Sequence, residues 1–211
     1  MQIVAIDGPA GAGKSTVARA LAARLGLQYL DTGAMYRAVT LAAMRRGIDP
    51  GDVEPVAALA RQIDLDVSEA GVFVDGSDAT AEIRSHAVTT AVSAVAANSA
   101  VRTEMVRRQR LWAHERGGGV LEGRDIGSVV FPDAELKLYL TADPRVRAER
   151  RVAEAGGDVD EIAAAIERRD HNDTSRDHGP LVEAHGAIVL DTSGLGIDEV
   201  VDRIEQLLER E

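Results

Sequence analysis

The chain has 211 residues, 45% of them hydrophobic, with 24 basic against 35 acidic side chains and a formal net charge of −11. That length can bury one sizeable core, and the acidic balance argues against nucleic acid or an anionic membrane as the main partner. There is no cysteine, which excludes a disulfide framework and thiolate chemistry and fits a reducing cytoplasm. Gln2–Ile6 is a short apolar run that predicts a buried strand, and a strand placed there leaves no room for a signal peptide. Gly8-Pro9-Ala10-Gly11-Ala12-Gly13-Lys14-Ser15 follows, matching G-x-x-x-x-G-K-[ST]. Ser15 to Leu25 then predicts a helix, with Val17, Ala18, Leu21, Ala22 and Leu25 at helical spacing and Gly26 as its stop. Strand, glycine loop and helix together make the context of a phosphate-binding loop. The glycines let backbone N–H groups turn inward around a polyphosphate, and the helix start adds partial positive charge. Lys14 is one of only two lysines among the 24 basic residues. A compact ammonium fits between β- and γ-phosphates where a planar guanidinium does not.

Further buried strands are predicted at Gln28–Leu30, Val120–Glu122, Leu136–Leu140 and Ala187–Leu190, separated by helical patterns. This alternation predicts a parallel five-stranded sheet flanked by helices, with ligands at the carboxyl ends of its strands. Polar or glycine tips follow each strand: Asp7-Gly8, Asp31-Thr32-Gly33, Gly123-Arg124-Asp125, Thr141-Ala142-Asp143 and Asp191-Thr192-Ser193. Two segments interrupt the alternation. Ile63–Val67 alternates with period two, Val72–Val74 and Asp75-Gly76 follow, and Ala79 to Ile83 is read as the strand that pairs back, giving a small antiparallel insert. Arg145 to about Arg176 is helical, charged and broken at Gly156-Gly157, and reads as a mobile flap. Ile197 to Leu208 predicts a packing helix, and no apolar run approaches the ~18 residues of a membrane span.

A phosphate loop alone implies a nucleoside triphosphate; the arginines narrow the reading. Arg147, Arg150 and Arg151 lie at i, i+3, i+4 on one helix face, with Arg168, Arg169 and Arg176 after them. Arg37 and Arg124 follow strand tips, and Lys14 and Arg102 bring this set to ten, leaving 14 basic residues against 35 acidic ones elsewhere. An acidic body around a basic cleft is the pattern expected for two polyanionic substrates. Phosphoryl transfer needs positioning and charge neutralisation. Lys14 is assigned to the β/γ oxygens, Ser15 to Mg²⁺, Thr16 to the α-phosphate region, and Glu122 to Mg²⁺ through water. The flap arginines neutralise the transferred group, Arg147 and Arg151 with Lys14 and Arg124 at the reacting phosphates and Arg150 towards ATP. A phosphate-monoester acceptor is already ionised, so no general base is required, and the five histidines show no catalytic spacing.

The strings Ile6 to Thr16, Leu30-Asp31-Thr32-Gly33-Ala34-Met35-Tyr36-Arg37, Glu122-Gly123-Arg124-Asp125-Ile126-Gly127 and Phe131-Pro132-Asp133-Ala134 resemble the bacterial cytidylate kinases, over nearly the full length. The resemblance implies a P-loop core with a lid and an enlarged monophosphate-binding insert, and transfer of the γ-phosphate of ATP to CMP or dCMP. It implies a single domain over 1–211: core 1–33, 103–144 and 177–211, monophosphate-binding region 34–102, lid 145–176. By position it also implies monophosphate-binding roles for Thr32, Arg37, Ser93, Arg102, Arg124, Asp125, Arg169, Asp173 and Arg176, and Tyr36, beside the acceptor tip, reads as a wall of that site or a phosphate neighbour. A carboxylate such as Asp125 can accept from the N4 amino group of cytosine, and an arginine can donate to N3 and O2. The Asp173 carboxylate can accept from a sugar hydroxyl. At Glu122 many relatives carry Asp. A cytoplasmic monomer with Mg²⁺, and with ATP and CMP or dCMP as its only partners, is expected.

Two other readings use the same first loop. Another small-molecule kinase, of thymidylate or shikimate type, needs a different acceptor pocket, and the Gly-Arg-Asp tip speaks against it. A GTPase-type switch fits Asp191-Thr192-Ser193-Gly194 as D-x-x-G, but the chain has no N-K-x-D for guanine.

Overall fold

A computed structural model describes residues 1–208, so the end of the expected core segment, 209–211, lies outside the described residues. In chain order the elements are β1 (Gln2–Asp7), α1 (Lys14–Leu25), β2 (Tyr29–Asp31), α2 (Thr32–Arg45), α3 (Val53–Gln62), β3 (Leu65–Ser68), β4 (Gly71–Val74), β5 (Ser77–Asp78), α4 (His86–Ala97) and α5 (Ser99–Glu115). There follow β6 (Gly118–Gly123), a π-helical turn (Ile126–Val130), β7 (Leu136–Thr141), α6 (Pro144–Ala155), α7 (Val159–Thr174), β8 (Ile188–Asp191) and α8 (Ile197–Leu208). They divide into two compact units, Met1–Tyr29 with the chain from Arg116 onward, and Leu30–Glu115.

The first unit is built on the five-stranded sheet, order β2-β6-β1-β7-β8. β1 pairs in parallel with β6 and β7, and β7 with β8. β1 is central, so both its faces are covered and it reads as an unbroken apolar run, Ile3 to Ile6, all buried. Val17, Ala18 and Leu21 of α1 and Val200, Val201 and Ile204 of α8 pack into the same core. Gly26 ends α1 in the left-handed conformation, φ 65°, as its stop role requires.

The second unit packs helices with the antiparallel sheet β3-β4-β5. Asp75 and Gly76 both take positive φ, 50° and 75°, and form the tight turn from β4 into β5. The returning strand is Ser77–Asp78 rather than Ala79 to Ile83. The ladder stops there because side chains take over its hydrogen bonds: Thr80 Oγ1 accepts from Val72 N (2.9 Å) and Asp78 Oδ1 from Thr80 N (2.8 Å). Residues 82–84 then form a 3-10 turn.

Candidate active site

The phosphate loop joins the end of β1 to the start of α1. Gly8, at φ +146°, is obligatory: a Cβ there would lie 2.0 Å from the carbonyl oxygen of Leu140, so loop and β7 approach backbone to backbone. Gly13 precedes α1 and brings no side chain to compete with an anion for the helix's first N–H groups. Ser15 is half-buried and Thr16 exposed in that first turn. Lys14 is buried and its Nζ donates to the Pro9 carbonyl at 2.7 Å. Burial chiefly, then the guanidiniums of Arg124 and Arg169, push its ammonium down to about 7, with Glu122 and Asp7 acting the other way.

The arginines of the first unit are held by acids and by the loop itself. Arg124 Nε donates to Asp173 Oδ2 at 2.8 Å, Arg176 to Asp173 Oδ1, and Arg169 Nε lies 3.9 Å from Oδ2. Burial alone would raise the Asp173 carboxyl, but the guanidiniums of Arg124, Arg176 and Arg169 outweigh it and lower it below the ordinary value. Arg147 Nη1 donates to the Ala10 carbonyl at 3.0 Å and pairs with Asp170, whose Oδ1 accepts from Ala10 N at 3.2 Å. The Nε of Arg147 is buried and has no hydrogen-bond partner among the described residues. Arg150 donates to Thr192 at the tip of β8, Nη1 to Oγ1 (3.0 Å) and Nη2 to the carbonyl (2.6 Å). Arg151 instead pairs with Glu154 at 3.0 Å, on the half-exposed side, and Arg145 with Glu149 at 3.4 Å. Of the three clustered arginines of α6, Arg147 therefore turns to the phosphate loop, Arg150 to the tip of β8, and Arg151 stays on a solvated face. Arg168 is exposed.

Three carboxylates stand at strand tips. Glu122, 5% exposed, accepts from the Tyr29 hydroxyl at 2.5 Å, and Arg19 lies over the Tyr29 ring, 5.1 Å from its centroid. Asp7 accepts from Ile126 N (2.9 Å) on one oxygen and Gly127 N (2.8 Å) on the other. Burial pushes Asp7 up to about 6, against the lowering pull of those two N–H donors. Asp125 is buried, and its carbonyl oxygen accepts from Val129 and Val130 N. No group of three or more His, Cys, Asp or Glu among the described residues could hold a metal ion alone. The hard oxygens of Ser15 and Glu122 nevertheless fit Mg²⁺, which keeps several waters and takes its remaining ligands from substrate phosphates.

The other site candidates lie in the second unit. Thr32 is buried at the start of α2, which Asp31 caps by accepting from Ala34 N at 2.9 Å. Arg37 is buried, donating to the Ile83 carbonyl (3.1 Å) and Thr89 Oγ1 (2.9 Å). Arg102, on α5, lies over the Tyr36 ring, 5.8 Å from its centroid. Ser93 is half-buried on α4. Sequence reasoning missed Asp7, Tyr29, Asp170 and Thr192 as residues that fix the others in place. Asp7 and Thr192 sat in tips already noted, and Asp170 directly follows Arg169, but their partners are far away in the chain.

Comparisons with known proteins bear on this geometry. The family model described as cytidylate kinase matches residues 4–210. The chain is 46% identical to a cytidylate kinase of Mycobacterium leprae, over 99% of this chain and 96% of that one. It is 49% identical to a cytidylate kinase of Rhodococcus opacus, over 96% of this chain and 92% of that one. Among solved structures, a shikimate kinase from Bacteroides thetaiotaomicron aligns with a TM-score of 0.50 at 14% identity, covering 99% of this chain and 98% of that one, a likeness of fold alone.

Proposed function

The chain belongs to the cytidylate kinase family, and from that premise we propose how its residues divide the transfer of the γ-phosphate of ATP to CMP or dCMP. An oxygen of the monophosphate forms a bond to the γ-phosphorus while the bond from that phosphorus to the β–γ bridging oxygen breaks, giving ADP and CDP or dCDP. The attacking oxygen is already ionised, so the protein supplies position and charge.

The observation that carries the division of roles is the fastening of an arginine to the phosphate loop, where Arg147 donates to the Ala10 carbonyl and Lys14 is itself buried. Lys14 is pushed down by Arg124 and Arg169 as well as by burial, and Arg147 keeps a buried Nε donor unused. A triphosphate beside a monophosphate relieves both. Residues Gly8 to Thr16 hold ATP, with Lys14 on the β- and γ-phosphates and Arg150 from its seat on Thr192. Lys14, Arg124 and Arg147 meet the charge that spreads over the transferred group, with Arg151 released from Glu154. Thr32, Tyr36, Arg37, Ser93, Arg102, Arg124, Asp125, Arg169, Asp173 and Arg176 hold CMP. Asp125 accepts from the cytosine N4 amino group; uracil would set an oxygen against it, a mismatch of about 1–3 kcal/mol. Ser15 directly, and Glu122 through water, would hold Mg²⁺, which when bound lowers the charge on the β- and γ-phosphate oxygens. We take 34–102 as the monophosphate-binding region and 145–176 as the lid. Every proposed contact lies in one chain, so a monomer suffices. The acidic balance supports nucleotides rather than nucleic acid as partners, and the substrates support a cytoplasmic setting; no described helix is long and apolar enough to cross a membrane.

Lys14→Ala tests the donor half. Turnover should fall by about 10³ or more with the circular dichroism spectrum unchanged, and retained activity would sink the assignment. A coupled assay of nucleoside monophosphates with ATP tests the acceptor half: CMP and dCMP should outrun AMP and GMP, and equal rates would overturn the cytosine reading.

A further inference from the structure

We propose that Asp7 is a positioning residue for base recognition: its carboxylate fixes the turn that carries Asp125 to the strand that carries the phosphate loop. The proposal rests on the reading of Asp125 as the group that accepts from cytosine.

Asp7 is the last residue of β1 and is followed at once by Gly8. It is 3% exposed, and each of its oxygens takes a backbone N–H from one of the two residues after Asp125. The Asp125 carbonyl closes the same turn by accepting from Val129 and Val130. The turn is also closely packed at Gly127. A Cβ on Gly127 would lie 3.1 Å from the Lys137 side chain and 3.3 Å from Ala184 Cβ. One carboxylate thus sets where the next strand's tip aims its own carboxylate. The residue type is dictated by the donors. The two N–H groups reach separate oxygens of Asp7, and an asparagine in the same pose would turn its own N–H pair towards one of them. Burying a charge near Asp125 is costly, which is why Asp7 is pushed up to about 6. A carboxylate meets both donors in this pose without presenting a donor of its own.

The test is the ratio of kcat/KM for CMP to that for UMP. Whatever Asp7→Asn does to the phosphate loop is common to both acceptors and cancels in the ratio. Asp7→Asn should lower the ratio by about tenfold, and Asp7→Glu, which keeps both oxygens but displaces them by a methylene, should also lower it. On the Asp125→Ala background Asp7→Asn should lower it no further, because both changes act through the same carboxylate. A ratio unchanged in Asp7→Asn overturns the proposal. Should Asp7→Asn not fold, an unchanged ratio in Asp7→Glu overturns it equally. Asp125→Ala separates the two ideas. If it leaves the ratio intact, the reading of Asp125 fails and takes the proposal with it. If it collapses the ratio and the Asp7 variants do not, the proposal fails alone.

Discussion

Asp173 accepts from Arg124 and Arg176, lies 3.9 Å from Arg169, and is 1% exposed. Its near neighbours were within reach of sequence reasoning, since Arg169 lies one turn back on α7 and Arg176 three residues on, just past the helix end. Arg124 was not, because it comes from a strand tip 49 residues away. The chemistry of a carboxylate gave Asp173 a sugar hydroxyl as partner; the structure adds that it holds Arg124 and Arg176, with Arg169 3.9 Å away. Its carboxyl is lowered in the folded chain, so it contributes stability above its ordinary value of 3.8 that is lost as the pH falls below it. Asp173→Asn leaves the guanidiniums uncompensated and should cost about 3 kcal/mol at pH 7, read as a lower urea midpoint. The gap to the unsubstituted protein should narrow between pH 4 and pH 3; a gap of equal size at pH 7 and pH 3 would show that the carboxylate charge is not what matters.

At the scale of elements, α6 shows what the flap's helix face meets. The first turns of α6 are fastened: Arg147 to the Ala10 carbonyl, Arg150 to Thr192, and the helix backbone itself against the phosphate loop. A Cβ on Gly11 would lie 2.9 Å from the Arg147 carbonyl oxygen and 3.0 Å from its Cβ, at φ +77°. Spacing shows which side chains share a helix face, but not what that face meets. Gly11→Ala should therefore push α6 off the loop, lower kcat by about 10²-fold through misplacement of Arg147, and raise hydrogen exchange in residues 144–150. A kcat within twofold of the parent would mean that this approach does not set the catalytic geometry. The outer ends of α6 and α7, around Gly156-Gly157, are largely exposed. They should gain protection when a bisubstrate analogue binds, while residues 144–150 are protected throughout.

Across the whole molecule, legibility follows sequence separation. The parallel sheet was readable because central strands buried on both faces are continuous apolar runs that end in polar tips. The donor half of the site was readable because Gly8 to Ser15 is one uninterrupted string. The third strand of the small sheet was misplaced because Asp78 and Thr80 end the ladder with their side chains, and apolar periodicity does not register that. The fastenings Asp7–Gly127 and Ala10–Asp170 span 120 and 160 residues, beyond any local pattern. Such long-range fastenings make substrate binding a property of the folded state alone, so it must appear as global stability. A ligand held only by the native chain at 100 times its Kd stabilises by about 2.7 kcal/mol, which for a chain of this size raises the melting midpoint by about 5–10 °C. CMP at that excess should give this shift, and UMP at the same concentration a clearly smaller one, because the mismatch at Asp125 weakens its binding by roughly tenfold or more. Equal shifts with the two monophosphates would place base discrimination in the transition state rather than in binding, and would take from Asp125 its proposed part in holding the free nucleotide.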